Sequence, residues 1–332
     1  MSFTKKGENP SPSAHGGRDS LLAMDRRTLL KSGVAALAAG ALSASASASS
    51  AAAPGPRRRG DPFQLAYAPH FGMFEQHAGK DPVAQLEWAA AEGFRAWEDN
   101  GMAGRPIEEQ ERIAKAMERL GIRMGVFVAN FGTAFEEHTF TSGKADALES
   151  FKADLRKAVD VAKRVRARWM TIVLGTDDPA LPAGFKHVNA VEMLKRGAAI
   201  CEPHNLVMVM EPLNYRDHPG LYLRTSDLAW SLCKAVGSPA VKTLFDIYHQ
   251  SISEGNLIPN LQHCWDEIAY FQIGDNPGRN EPSTGEVNYR NVFREIHGRG
   301  FQGILGMEHG NSLPGKVGEL AVVSAYRAAD TF

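Results

Sequence analysis

Cysteine is scarce in this chain, with three residues, Cys201, Cys233 and Cys264, among 332. The count is odd, the spacing is wide and no Cys-x-x-Cys pair occurs, which excludes a disulfide framework and a structural zinc site. Each cysteine falls in a stretch whose pattern predicts a helix. We therefore expect three buried structural thiols.

An excess of one charge is also missing. Lys and Arg together number 37 against 38 for Asp and Glu, and the sequence pI is about 6.8. Without a basic surplus, the sequence gives no reason to expect nucleic acid as a partner. The most apolar run near the N-terminus, at about 34–42, is too short and too rich in alanine to cross a bilayer of about 30 Å. We expect a small-molecule substrate and no stable membrane insertion, and a homo-oligomer is one option for the assembly.

The first 60 residues have the features of a targeting segment. Arg26 and Arg27 precede an Ala-rich apolar run, and the Ala/Ser stretch after it offers several small-x-small cleavage sites. This pattern predicts a twin-arginine export signal, which would place the protein in the periplasm or outside the cell. The alternative is a disordered basic linker. We assign residues 1–60 to the signal and a flexible linker, and residues 61–332 to one domain.

One unit recurs from residue 63 onward: a short apolar run, a polar or Gly-containing turn and an amphipathic stretch. The runs occupy residues 63–69, 94–99, 123–130, 169–175, 206–212, 241–248, 268–275 and 304–310. Eight alternations of strand and helix in about 270 residues match a (β/α)₈ TIM barrel in count and size. The alternative is a doubly wound open sheet, which usually has a Gly-rich phosphate turn after its first strand. HFGMFEQHAG follows the first run instead, so the sequence favours the barrel.

Polar residues interrupt four consecutive apolar runs near their C-terminal ends. They are Glu211, Asp246, Gln272 and Glu308. Catalytic groups of TIM barrels lie at this end of the strands, so we expect the four side chains to converge at the barrel mouth. A single polar residue at the end of a strand usually begins a solvated loop. Four such residues at matching positions of consecutive strands favour a shared site instead. Three carboxylates there would repel one another without a cation, and oxygen ligands favour one Mg²⁺ or Mn²⁺ ion over zinc.

Two further residues are candidates for substrate binding. His249 lies three residues after Asp246, where it would contact substrate or cap a helix. Arg279 lies in a Gly/Pro-rich loop after the seventh run. It would hold a substrate carboxylate through two hydrogen bonds, or it is an ordinary surface arginine.

Several strings resemble the hydroxypyruvate isomerase family, which belongs to the xylose isomerase-like superfamily of TIM barrels. They are YAPHFGMF, WEDNGM, MEPLN, FDIYHQ, QIGDNPGRNEPSTGEVNY and GMEHG. The resemblance extends over residues 63–332, and DNPGRNEPSTGEVNY is its most specific part. It implies a TIM barrel with a single divalent metal held by Glu211, Asp246, Gln272 and Glu308. It also implies that Glu211 and Glu308 are the catalytic acid/base pair.

The resemblance implies a reaction as well, the isomerisation of hydroxypyruvate to tartronate semialdehyde. One glutamate would remove a proton beside the carbonyl and the other would return one to the neighbouring carbon, through an ene-diolate that the metal stabilises. Related ketose epimerases usually have histidine as the seventh-strand ligand, so Gln272 favours the hydroxypyruvate isomerases. The alternatives are an isomerase or 3-epimerase of a free sugar and an exported, non-catalytic sugar-binding protein. A repair nuclease of the superfamily would need more histidine ligands than these strand ends supply.

Overall fold

The structure is a computed structural model that describes residues 59–130, 135 and 137–332. The predicted export signal and nearly all of the predicted linker lie outside the described residues. The division of the chain at residue 60 therefore stays a prediction, and the fold concerns the domain that follows.

Eight parallel strands are present in the described part of the chain, and each lies inside one of the predicted apolar runs. They are β1 (Tyr67–Ala68), β2 (Ala96–Trp97), β3 (Arg123–Met124), β4 (Trp169–Ile172), β5 (Val207–Met210), β6 (Val241–Asp246), β7 (Ile268–Gln272) and β8 (Leu305–Gly306). The run at 123–130 is regular strand only over its first two residues. Its later part pairs with β4 through a bridge between Val128 and Thr171.

Helices connect successive strands. They are α1 (Glu75–Ala78), α2 (Pro82–Ala91), α3 (Ile107–Leu120), α4 (Ala145–Val165), α5 (Ala183–Cys201), α6 (Ser226–Val236), α7 (Ile247–Ser253), α8 (Leu257–Cys264), α9 (Tyr289–Gly298) and α10 (Gly315–Ala329). Helices α3 and α6 end at Gly121 and Gly237, whose φ angles of 64° and 69° are left-handed. Glycine adopts this conformation without strain, so the sequence marks both ends. None of the helices in the described ranges has the length and apolarity that crossing a membrane requires.

The strands form a closed ring. Ladders of hydrogen bonds join them in the order β1-β8-β7-β6-β5-β4, and a further ladder joins β2 to β3. Parallel bridges complete the circle: His70 with Glu98 connects the ends of β1 and β2, and Val128 with Thr171 connects β3 to β4. Because β1 pairs with β8, the fold is the expected (β/α)₈ TIM barrel rather than an open sheet.

Apolar side chains fill the interior of the ring. Every strand contributes to one buried cluster, either directly or from within two residues of its end. The members of this interior cluster are Ala68, Ala96, Val126, Trp169, Val207, Val209, Leu244, Tyr270 and Ile304. A larger apolar cluster packs between the strands and the surrounding helices. Apolar side chains occupy most of the interior, and the polar site lies at the ends of the strands.

The three cysteines are free and buried, as the sequence predicts. Cys201 ends α5, Cys233 lies within α6 and Cys264 ends α8. Burial raises the pKa of the Cys201 and Cys233 thiols to about 12. These thiols are part of the helix packing and not of the strand-end site.

Candidate functional site

The carboxyl ends of β5 to β8 bring the four predicted acid and amide residues to one edge of the ring. Asp246 ends β6 and pairs in register with Gln272, which ends β7. Glu211 and Glu308 follow β5 and β8 by one and two residues. Atoms of Glu211, Asp246 and Glu308, together with one of His249, all lie within 4.8 Å of one another. We call these three carboxyl groups with Gln272 the acidic cluster.

Gln272 has an unpaired oxygen. Its side chain is completely buried, and its Nε2 donates a hydrogen bond to Oε1 of Glu98 across 2.9 Å. Its own Oε1 accepts no hydrogen bond from any described residue. A buried hydrogen-bond acceptor without a partner lowers the stability of the fold by about 1–3 kcal/mol. We therefore expect a ligand to bind this oxygen. Mg²⁺ and Mn²⁺ accept amide oxygens together with carboxylates, so the residues present fit such an ion.

Burial disfavours the charged forms of the acids. Burial first, and then the nearby charges of Glu308 and Asp246, raise the pKa of Glu211 well above its ordinary value. The side chain of Glu308 remains 27% exposed, yet the enclosure of its carboxyl group raises its pKa to about 7 despite the opposing charge of Arg279. A cation within the cluster would reverse both effects, because it stabilises the ionised carboxylates.

Arg279 provides positive charge to the cluster. Its Nη2 donates hydrogen bonds to Glu308 Oε2 at 2.6 Å and to Asp246 Oδ2 at 3.2 Å, and the ring of Tyr248 lies 4.8 Å from its guanidinium carbon. Burial alone would lower the pKa of Arg279, but the carboxylates of Asp246 and Glu308 outweigh it and raise the pKa. Its Nε is buried and has no partner among the described residues. Arg279 is therefore not an ordinary surface arginine, and it retains a donor for an anionic ligand.

The hydrogen bonds of His249 fix its tautomer. The backbone N–H of Asn214 donates to Nδ1 at 3.2 Å, so Nδ1 is the unprotonated nitrogen. The side-chain amide of Asn214 also donates to Nδ1, because its own oxygen accepts the backbone N–H groups of Arg216 and Asp217. Burial lowers the pKa of His249 to about 4 against the attraction of Asp246, so the ring is neutral and Nε2 carries its proton.

The Nε2–H group of His249 points into the acidic cluster. It lies 3.7 Å from Glu211 Oε1 and 3.5 Å from Asp246 Oδ2. Nη2 of Arg279 is 3.2 Å away, but both of its hydrogens are directed at Asp246 and Glu308. A protonated nitrogen cannot ligate a metal, so His249 is a hydrogen-bond donor there. It is also not the helix cap, since the Asp246 carboxylate caps α7.

Two residues of the site have no role in the sequence prediction. Asn100 donates through Nδ2 to Glu308 Oε1 at 2.8 Å, and Glu98 accepts the hydrogen bond from Gln272. Both follow β2, at the end of the second apolar run. The position at a strand end was the available signal, but Glu98, Asp99 and Asn100 together resemble the polar start of a solvated loop.

Comparison with known proteins agrees with this architecture. Residues 86–323 match the family model described as xylose isomerase-like TIM barrel. Hydroxypyruvate isomerase of Escherichia coli K12 is 32% identical over 165 residues, which are 48% of this chain. The match covers 62% of that protein, which is less than two thirds of its length. The 2-oxo-tetronate isomerase of Cupriavidus necator is 30% identical over 246 residues, covering 71% of this chain and 89% of that protein.

A solved structure supports the fold independently. The crystal structure of an AP endonuclease, family 2, from Brucella melitensis superimposes with a TM-score of 0.66 at 21% identity. The superposition covers 79% of this chain and 96% of that one. At this identity the likeness shows the fold alone. Together, the closed ring, the strand-end cluster and the family match establish that this chain belongs to the xylose isomerase-like TIM-barrel family and resembles its hydroxypyruvate isomerases.

Proposed function

We propose that this protein is an isomerase of small keto acids, with the conversion of hydroxypyruvate to tartronate semialdehyde as its reaction. The observation that carries the proposal is the acidic cluster, in which carboxyl oxygens of the buried Glu211 and Asp246 and of the partly buried Glu308 lie within 4.8 Å of one another. The names of the related isomerases from Escherichia coli and Cupriavidus necator support the same class of substrate.

Glu211, Asp246, Gln272 and Glu308 would hold one divalent ion, Mg²⁺ or Mn²⁺. When bound, such an ion supplies Lewis-acid polarisation of a substrate carbonyl. The unpaired Oε1 of Gln272 and the density of carboxyl groups support this ligand set. His249 is not part of this ligand set, because its Nε2 carries a proton and its Nδ1 accepts a hydrogen bond from Asn214.

Glu211 and Glu308 are the proposed acid/base pair. Two strands separate β5 from β8 in the ring, so the two carboxylates approach a bound substrate from different sides. One carboxylate takes the proton from C3 of hydroxypyruvate, and the electrons of that C–H bond form the C2–C3 double bond of an ene-diolate. The proton of the C3 hydroxyl moves to the C2 oxygen. The second glutamate, in its protonated form, delivers a proton to C2, which leaves an aldehyde at C3 and a hydroxyl at C2. The reaction moves hydrogen within one molecule and needs no external oxidant or reductant.

Arg279 and His249 are the proposed substrate-binding residues. The guanidinium of Arg279 can bind the carboxylate of a keto acid, because its Nε is unpaired and its Nη2 already binds carboxylates. The Nε2–H of His249 would donate to a substrate oxygen. A free sugar has no carboxylate, so the contact with Arg279 distinguishes the two classes of substrate.

The location and assembly of the protein remain part of the proposal. The twin-arginine pattern supports export to the periplasm or beyond, and the balanced charge supports a small-molecule substrate and no nucleic acid partner. Export, the absence of stable membrane insertion and a possible homo-oligomer stay predictions.

A proton-exchange assay tests the function. The protein loaded with Mn²⁺ is incubated in deuterated water with hydroxypyruvate or with a panel of ketoses, and C–H exchange is read by NMR beside the Glu308→Gln variant. We expect exchange and tartronate semialdehyde with hydroxypyruvate, and no tartronate semialdehyde with the variant. Exchange with ketoses alone would replace the proposed substrate with a sugar. No exchange by protein that binds Mn²⁺ would contradict catalysis and favour a binding role.

A further inference from the structure

We propose that Glu98 is a positioning residue that turns the amide of Gln272 so that its oxygen faces the acidic cluster. The inference deepens the proposed function and rests on it, because it takes Gln272 as a ligand of the divalent ion. Glu98 lies just after β2, and β1 and β8 separate β2 from β7 in the ring. The contact between Glu98 and Gln272 thus joins residues 174 positions apart.

The hydrogen bonds of Glu98 decide which way the amide points. Its Oε1 accepts from Gln272 Nε2 at 2.9 Å, and its Oε2 accepts from the hydroxyl of Tyr270 at 2.8 Å. The two ends of an amide are nearly equal in shape, so hydrogen-bond partners determine which end faces which neighbour. With the NH₂ end held at Glu98, Oε1 of Gln272 is directed away from it and is left without a partner.

This orientation does not depend on the protonation of Glu98. The hydroxyl of Tyr270 can donate a hydrogen bond to Oε2 of an ionised Glu98 or accept one from Oε2–H of a protonated Glu98, so Oε1 remains an acceptor for Gln272 in either state. Without Glu98, the amide of Gln272 would be free to turn its NH₂ end toward the cluster. That end cannot ligate a cation.

Two glycines leave space in the barrel interior for the side chains of Glu98 and Tyr270. A Cβ atom on Gly306 of β8 would overlap Oε2 of Glu98, and one on Gly125, beside β3, would overlap the hydroxyl of Tyr270. Elsewhere the interior is filled by apolar side chains. Glu98 is only 2% exposed, and burying a carboxyl group there opposes folding. The orientation of Gln272 gives this costly arrangement a function.

Direct measurement of ion binding tests the inference without relying on activity. Binding of Mn²⁺ to the purified protein is followed by EPR of the free ion. We expect Glu98→Met, which removes the acceptor at similar size, to raise the Kd for Mn²⁺ about 10- to 100-fold. Glu98→Gln still offers an amide oxygen to Nε2 of Gln272, so its Kd should stay within about threefold of the original. Tyr270→Phe is the matched control, because it removes the other hydrogen bond of Glu98.

A double variant separates positioning from a general structural effect. If Glu98 acts through Gln272, the variant with both Glu98→Met and Gln272→Met should bind Mn²⁺ no more weakly than Gln272→Met alone. Circular dichroism and urea unfolding check that each protein is folded.

Several outcomes would overturn the inference. One is a folded Glu98→Met protein with the original Kd, and another is a double variant whose losses add. If Glu98→Met fails to fold, Glu98→Gln provides the test. A folded Glu98→Gln protein that binds Mn²⁺ as weakly as Gln272→Met would then overturn the inference. An unaltered protein that binds no Mn²⁺ would overturn the proposed metal site as well, which distinguishes the two failures.

Discussion

Arg279 and Asn100, which lie in separate loops of the barrel, hold the two carboxyl oxygens of Glu308. Arg279 donates to Oε2 at 2.6 Å and Asn100 donates to Oε1 at 2.8 Å. The carboxyl group of Glu308 is thereby fixed before any substrate arrives. The contact also means that a proposed substrate-binding residue and a proposed catalytic residue share one hydrogen bond, so a ligand that binds one of them affects the other.

Replacing Arg279 should separate keto acids from sugars. In Arg279→Gln, we expect kcat/KM for hydroxypyruvate to fall about 100-fold, because a charged hydrogen bond to the substrate carboxylate is lost. Activity on an uncharged ketose should fall less, because that substrate loses only the hydrogen bonds that Arg279 gives to Glu308 and Asp246. Steady-state kinetics on both substrates measures this, with Arg299→Gln as a control that removes an arginine paired with Glu295 on the outer surface. An equal fall for both substrates would show that Arg279 does not recognise the carboxylate.

Replacing either glutamate of the acid/base pair should stop the reaction. Glu211→Gln and Glu308→Gln are each expected to lower kcat by about 10²- to 10⁴-fold, since neither amide can accept a proton from carbon. Both variants should remain folded, because a neutral amide of the same shape avoids the repulsion among buried carboxylates. Turnover assays beside circular dichroism check this. Substantial turnover by either folded variant would refute the acid/base assignment.

The raised pKa of Glu308 predicts that the ion-free protein loses stability as the pH rises. The pKa of Glu308 is about 7 in the fold against 4.5 in its ordinary range, so the folded state binds the proton more tightly than the unfolded state between these values. The free energy of unfolding should therefore fall from about pH 4.5 to about pH 7, by at most about 1.4 kcal/mol per pH unit from this group. Urea unfolding in EDTA at a series of pH values measures the effect.

The Glu308→Gln variant isolates that effect from other titrating groups. Its stability should depend less steeply on pH over the same window, and subtracting its curve leaves the contribution of Glu308. Identical curves for the two proteins would mean that the Glu308 carboxyl group titrates in the fold as it does in the unfolded chain.

The tautomer of His249 predicts that substrate binding and ion binding respond differently to its replacement. In His249→Asn, the Kd for Mn²⁺ should change by less than about threefold, whereas kcat/KM should fall about tenfold for the lost hydrogen bond. Asp246→Asn is the comparison, because it alters a proposed ligand and should weaken Mn²⁺ binding strongly. If His249→Asn releases the ion as Asp246→Asn does, then His249 is itself a ligand.

Gly306 should tolerate no side chain. Gly306→Ala places a methyl group against Oε2 of Glu98, and overpacking of this kind costs about 1–3 kcal/mol. It should also weaken Mn²⁺ binding, because Glu98 must move. Gly310→Ala is the matched control, since its Cβ would meet only Asn280 Oδ1 at 3.4 Å. Urea unfolding compares the two, and equal stability would show that the carboxyl group of Glu98 shifts freely.

The positions of the strand-end residues could be predicted from the sequence for a physical reason, and their roles stay predictions. Glu211, Asp246, Gln272 and Glu308 each interrupt or follow an apolar run, and parallel strands in a closed ring bring such ends to one edge. Local patterns are then sufficient to predict that these side chains meet.

The remaining parts of the site depend on contacts that no local pattern encodes. Arg279 lies in an irregular loop seven residues after β7 ends, so periodicity cannot show that it turns back toward Glu308. The role of Glu98 depends on an amide 174 positions away and on a space left by Gly306. The tautomer of His249 depends on the backbone of Asn214, which only the folded loop positions.

The burial of the three cysteines has a consequence for where such a protein can work. A thiol reacts with oxidants or other thiols as its thiolate and only when it is accessible. Cys201, Cys233 and Cys264 are buried in the helix packing, and none forms a disulfide. The folded barrel therefore holds no disulfide that an oxidising environment must form or that a reducing one could break.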